Sequence, residues 1–276
     1  MRIITLFLVC LTLSSACSSH DDLAPSAESL KVVSLDYCAD QYVLEFVDHK
    51  NIAALSPDAT ASFSYLRNEA KSISTVRPRI EDILLLNPDI VVRAYGGGSN
   101  ATAFFERAGI SVVQIGYAGD LERVKEVITA TAQQLKAEDH GRQLISDMDR
   151  RLSTLSGNES RIAALYMTSK GAVAGKKTML DDLMSKAGVV NFQEASGWSS
   201  LPLENLAYET PQLIVTGFFE TSDLTSDRWT PARHPVARRT LADTPVVNIP
   251  GAWTACGAWF LVDAVEAIAD ARAKLQ

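Results

Sequence analysis

A stretch of 13 residues occurs twice in this chain: Ile80–Val92 (IEDILLLNPDIVV) aligns without a gap on Leu203–Val215 (LENLAYETPQLIV). Each copy reads as a short helix that opens on an apolar–Glu pair. Pro88 or Pro211 then ends the helix, because a proline ring disfavours the helical conformation of the residue before it. An unbroken apolar run follows, the pattern of a strand covered on both faces. One helix–proline–strand unit is common in α/β proteins. Two units that match at the Glu, the Pro and the next three apolar positions after Asp89 and Gln212 predict two related lobes.

The segments around the repeat alternate in the same way. Strands are expected at Lys31–Leu35, Asn51–Leu55, Ile90–Arg93 and Ser111–Ile115, with helices at Ala39–Val47, Ile80–Leu86 and Ala101–Ala108. From Asp120 to about Leu155 the chain is rich in helix formers, with no proline and one glycine, Gly141. A break near Asp139–Gly141 is expected to divide it. A second alternating set follows: strands at Arg161–Met167, Gln212–Thr216 and Val246–Ile249, and helices at Thr178–Ala187, Leu203–Tyr208 and Gly257–Leu275. The fold class is α/β, two α/β lobes joined by a single long helix. The expected division is 1–16 a signal peptide, 17–30 a polar leader, 31–119 an N-terminal lobe, 120–156 a connecting helical region and 157–276 a C-terminal lobe.

The leader assignment rests on Met1-Arg2, an apolar run at Ile3–Leu13 too short to cross a bilayer, and the small residues Ser14-Ser15-Ala16. Cys17 follows them, as in a lipoprotein cleavage box, although Leu13 stands one position early. Either Cys17 carries lipid or a plain peptidase cuts after Ala16; in both cases the chain is expected to be periplasmic or otherwise exported. The mature chain then keeps Cys38 and Cys256. In an oxidising compartment an isolated pair is expected to form a disulfide, and two thiols are too few for structural zinc. A net charge of −7 gives no basic footprint for nucleic acid.

No HExxH, GxSxG, Walker or CxxC motif is present, and the four histidines (His20, His49, His140 and His234) form no nucleophile–base pattern. Neither catalysis nor a bare metal ion is therefore expected, and no resident cofactor. Aromatic and cationic residues instead gather at predicted strand ends, where ligands bind in open α/β sheets. These are Tyr37, Phe63, Tyr65, Arg79 and Tyr95 in the first lobe. In the second they are Trp198, Phe218, Phe219, Arg228, Trp229, Trp253 and Trp259. The candidate ligand-binding set is Tyr37, Tyr65, Arg79, Tyr95, Trp198, Phe218, Trp229 and Trp253. Such a surface suits a chelate whose metal arrives already coordinated.

From Lys31 to the C-terminus the chain resembles the periplasmic binding proteins for ferric siderophores and cobalamin. The resemblance lies in VVSLDYCADQYVLEF, in the two repeat segments and in VVNIPGAWTACGAWFLVDAVEAIA. It implies two lobes on one helical backbone, with a cleft that changes little on binding. It further implies that Glu81 and Glu204 dock on arginines of a membrane permease. It also implies a cleft Trp six residues before each Glu: Trp198 fits, whereas the first-lobe position holds Thr75. The expected function is the substrate-binding component of an ABC importer. Its ligand would be a metal chelate, a ferric siderophore or cobalamin-type corrinoid, with heme also open. Its partners would be an ABC permease and its ATPase, and the chain is expected to be monomeric. An exported α/β enzyme, or a chelate sensor uncoupled from transport, are the alternatives.

Overall fold

The structure, a computed structural model, describes residues 30–155, 162–217 and 233–275. In the first lobe Val32–Ser34 forms strand β1 and Tyr37–Phe46 helix α1, which Asp36 opens by accepting from the Ala39 amide. Strand β2 is Ile52–Ala54. The first repeat copy folds as helix α2 (Ile80–Leu84) and strand β3 (Ile90–Arg93). Helix α3 (Ala101–Arg107) and strand β4 (Ser111–Gln114) complete the lobe. Its strands are all parallel, in the order β2-β1-β3-β4.

The helix-favouring segment folds as α4 (Leu121–Gln134) and α5 (Glu138–Leu155). The break lies at Leu135–Ala137, earlier than the sequence predicts, where Lys136 takes a left-handed φ of 58°. Gly141 does not break the helix; it lies inside α5, where the two helices touch. A Cβ there would stand 2.6 Å from Ala132 Cβ, so glycine serves close packing rather than a turn.

The second lobe contains β5 (Ala163–Thr168), β6 (Ala172–Ala174), α6 (Met179–Lys186), β7 (Val190–Asn191) and β8 (Trp198–Ser200). The second repeat copy is α7 (Leu203–Tyr208) and β9 (Leu213–Gly217). Helix α8 (Pro235–Asp243), strand β10 (Val246–Ile249) and helix α9 (Leu261–Ala273) end the described chain. The strand order is β10-β9-β5-β6-β8; β10, β9 and β5 are parallel, β6 and β8 antiparallel, and β7 pairs with the start of β5.

The duplication extends beyond the 13 matched residues. Asp89 Oδ2 accepts from the Lys31 amide at 2.7 Å, and Gln212 Oε1 accepts from the Ala163 amide at 3.0 Å. Asp89 and Gln212 occupy the same repeat position, so each ties the start of its strand to the start of the neighbouring one. The pairing registers agree: Val33 faces Val91 as Leu165 faces Ile214.

Alternation along these strands divides the interior into layers. Val32, Val92, Ala164, Tyr166, Leu213 and Val215 enter one central cluster shared by both lobes, with Tyr42, Phe260, Leu261 and Val265. The opposite faces enter two outer clusters. Val33, Ile83 and Val91 lie in one, and Leu165, Leu206 and Ile214, their repeat equivalents, lie in the other. Helix α5 is fastened to α9 by Arg151, which bonds Asp263 at 2.6 Å and Glu266 at 2.5 Å.

Gly141→Val is expected to destabilise the protein by about 1–3 kcal/mol, the usual penalty of overpacking. Ala132→Gly should recover part of that loss. Urea denaturation of the two single variants and the double variant measures the coupling.

Candidate functional site

The site is assembled around the N-terminus of α1. Asp36 is buried, and its carboxylate receives four backbone N–H groups. Oδ1 accepts from Ala39 at 3.0 Å, and Oδ2 from Ala94 at 2.8 Å, Tyr95 at 3.0 Å and Gly96 at 2.8 Å. This clamps the loop after β3 over the start of α1. The approach is so close that a Cβ on Gly96 would lie 2.3 Å from the Leu35 carbonyl oxygen, hence the glycine. Arg93 holds the same loop from behind, donating to Thr102 Oγ1, the Tyr95 carbonyl and the Gly98 carbonyl. It is buried and engaged with the fold, not presented to a ligand.

The clamp sets Tyr95 beside Tyr37, edge to face at 5.8 Å, and Tyr37 beside Phe63 at 4.9 Å. Burial is the main cause of the raised pKa of both phenols. Both therefore stay protonated at neutral pH.

Three successive links join α1 to the loop before α9. The Tyr37 hydroxyl lies 3.5 Å from the Ala255 carbonyl, Cys38 and Cys256 form a disulfide with Cα atoms 5.5 Å apart, and the Tyr42 hydroxyl donates to the Gly257 carbonyl at 2.8 Å. The pairing expected from the isolated thiols is present. Residues 255–257 thus form a floor shared by the two lobes.

Two cavities open above this floor. One of about 370 Å³ is lined by Tyr37, Tyr95, Ile115 and Tyr117. The other, of about 330 Å³, is lined by Lys177, Thr178, Gly197 and Trp198. Both include Tyr117, Ala118 and the 255–257 floor, so they are adjoining parts of one interlobe cleft. Their size lies in the range of small-molecule sites. Tyr95, Tyr117 and Trp198 are 55%, 85% and 56% exposed, and all three line it. Trp198 is not in a loop: it starts the short edge strand β8, opposite Ala174, with its ring edge-on to Tyr166 at 5.9 Å.

The other sequence-selected residues lie elsewhere. Tyr65 donates to Asp263 at 2.7 Å and stacks on Phe260 at 4.2 Å, so it fastens the first lobe to α9. Trp253 packs on the central cluster, and Trp259 meets Tyr42 edge-on. Arg79 is exposed at the start of α2 and lines neither cavity. Glu81 and Glu204 are exposed in the first turns of α2 and α7. Phe218, Phe219, Arg228, Trp229 and Cys17 lie outside the described residues. Tyr117 was missed by sequence reading. It follows β4 in a Gly-Tyr-Ala-Gly turn, the strand-end setting that marked Tyr95.

A family model described as periplasmic binding protein matches residues 32–225. No curated protein matches the chain. Among solved structures, the periplasmic heme-binding protein HutB of Vibrio cholerae aligns with a TM-score of 0.70 at 18% identity, covering 88% of this chain and 98% of that one. The periplasmic heme-binding protein RhuT from Roseiflexus sp. RS-1, in apo form, gives 0.67 at 18% identity over 88% and 99%. The periplasmic vitamin B12 binding protein BtuF of Vibrio cholerae gives 0.62 at 18% identity over 89% and 97%. At these identities the likeness is one of fold.

Asp40, one turn into α1, is buried and accepts from the Ser56 amide at 2.9 Å and hydroxyl at 2.6 Å. Burial, the largest cause, raises its pKa from 3.8 to about 6. The folded state thus holds this proton more tightly than the unfolded chain. The resulting stability is fully present below about pH 4 and is lost as pH rises through about 6. Asp40→Asn keeps an acceptor for the Ser56 amide and is expected to flatten this slope. It should gain up to about 3 kcal/mol over the parent protein at neutral pH. Urea denaturation of both proteins at mildly acidic and neutral pH gives the comparison.

Proposed function

Because the chain belongs to the periplasmic binding protein family, we propose that it is the substrate-binding component of an ABC importer and carries a metal chelate in its interlobe cleft. The family is periplasmic, and its members are binding proteins rather than enzymes. The observation that carries the proposal is the gathering of exposed aromatic side chains around one cleft: Tyr95 of the first lobe lines one of its two adjoining cavities, Trp198 of the second lobe lines the other, and Tyr117 lines both. A flat or bulky apolar ligand offers these rings matching surface. The names of the structural neighbours, heme-binding and vitamin B12-binding proteins, support a ligand of this class. A ferric chelate, heme or ferric siderophore, is favoured over a corrinoid. The exposed phenol of Tyr117 offers a hard oxygen suited to ferric iron, and the first lobe has Thr75 where a second cleft Trp would stand.

The chain is exported, and Cys17 is its site of lipid attachment if it is anchored. Among the described residues no helix is long and apolar enough to cross a membrane. Glu81 and Glu204 dock the loaded protein on the permease, one carboxylate from each lobe. The disulfide and the Tyr42–Gly257 bond limit how far the lobes separate, so ligand enters a largely formed site.

Titration with hemin, a ferric siderophore and cyanocobalamin, followed by absorbance, tests the ligand class. Trp198→Ala is expected to weaken binding of the preferred chelate by about tenfold, near 1.4 kcal/mol, with the melting temperature almost unchanged because the ring is half exposed. An unfolded Trp198→Ala protein would make this residue a scaffold element instead.

Glu81→Ala combined with Glu204→Ala should leave chelate affinity within about twofold and strongly reduce uptake, since rim charges act mainly on encounter and register. Parallel ligand titration and transport assays separate the roles. A large affinity loss would place these carboxylates in the binding site, and normal uptake would end the docking reading.

A further inference from the structure

We infer that Leu85 and Tyr208 are paired apolar anchors with which the two lobes grip a two-fold symmetric permease; this rests on the docking role proposed for Glu81 and Glu204. Leu85 is 86% exposed and Tyr208 91% exposed, the two most exposed large apolar side chains among the described residues. They occupy the same position of the repeat, as do Glu81 and Glu204. Burial follows the repeat around them. Ile83 and Leu206 are buried in the outer clusters, and Pro88 and Pro211 are buried where the chain turns into the strand. The fold thus gives both copies the same inward anchor and the same outward face.

Each apolar residue stands four positions after its Glu, one turn along, so both side chains share a helical face about 5–6 Å apart. One exposed leucine on a protein surface needs no explanation. A carboxylate with an exposed apolar neighbour, present twice at equivalent places, is a different observation. Neither side chain of the apolar pair belongs to a core cluster. Among the described residues neither Glu81 nor Glu204 has an ion-pair partner.

The occupant follows from charge and symmetry. Two like motifs fit a partner that presents its own site twice, a basic side chain for each carboxylate and an apolar pocket one turn away. A second copy of this chain would set carboxylate against carboxylate on proteins of net charge −7. An anionic lipid surface repels them likewise. A permease with two equivalent subunits meets both requirements. The carboxylates then set encounter and register, and the apolar side chains slow dissociation.

The test uses chelate-loaded full-length protein and nanodiscs carrying the cognate permease and its ATPase, with association and dissociation followed over a range of salt concentrations. Leu85→Ser and Tyr208→Ser should each speed dissociation about tenfold, with association rate and salt dependence unchanged. Glu81→Ala with Glu204→Ala should slow association and flatten the salt dependence. Both apolar variants should keep the parent melting temperature and chelate absorbance, because neither residue is packed. A Leu85→Ser/Tyr208→Ser protein that dissociates like the parent, beside a weakened glutamate variant, would overturn the anchors and leave docking standing. No effect from either pair would remove docking and anchors together. Equal binding to nanodiscs without permease, or a dimer in sedimentation that Leu85→Ser dissolves, would reassign the patch to a lipid surface or to self-association.

Discussion

The union of α1 with the loop before α9 determines the geometry of everything else. Cys38 and Cys256 are separated by 218 residues of chain, and closing so long a loop restricts the unfolded ensemble by about 5 kcal/mol in the chain-entropy treatment. The bond does not act alone. Tyr42, one turn along α1, donates to Gly257 while its ring packs in the central cluster. Tyr65 reaches Asp263, which Arg151 of the connecting helix also holds. Both lobes and the connector therefore meet at the two ends of the loop-to-α9 segment. The cleft above it has a covalently fixed floor, and its walls belong to sheets that share one apolar cluster.

Buried carboxylates extend this order into the first lobe. Asp36 gathers four amides from two segments, and Asp40 holds Ser56 through its amide and hydroxyl. A buried carboxylate that receives several N–H groups has its oxygens satisfied. One that stays buried with fewer donors favours its proton, as Asp40 does. Two aspartates four residues apart, one capping α1 and one in its first turn, thus do different work. One positions the aromatic loop that lines the cleft, and the other ties the helix to the segment after β2.

Duplication explains why the same scaffold supports unlike surfaces. Asp89 and Gln212 differ in charge yet tie their strands identically, because the tie needs only a side-chain carbonyl-type acceptor. Strand-end loops carry no such constraint, since they pack little and contribute little to the core. There the lobes diverge: the first offers Tyr95 and Tyr117 to the cleft, the second Trp198 on an antiparallel edge strand. Symmetry survives on the outer helices and is lost in the cleft.

The amino-acid order alone determined the α/β class, the duplication, nearly every parallel strand and the Cys38–Cys256 pair. These follow from local periodicity, proline placement and the scarcity of thiols, all of which act over short windows or by count. It did not reveal β6 and β8, because Gly171 and Gly175 bracket one and Gly197 precedes the Trp-Ser-Ser of the other, so neither stands in an apolar run. The helix break was misread because Gly141 looked like punctuation, whereas Lys136 turns the chain and Gly141 serves the contact with Ala132. Tertiary structure alone decided which aromatic residues face the cleft. Tyr37, Tyr65, Tyr95 and Tyr117 all stand in strand-end segments, but Tyr65 is claimed by Asp263 and Phe260, nearly 200 positions away at a separation of 198 for the hydrogen bond. Whether a tyrosine meets ligand or core depends on which distant side chains reach it first. That competition is settled only when the two lobes close around their shared floor.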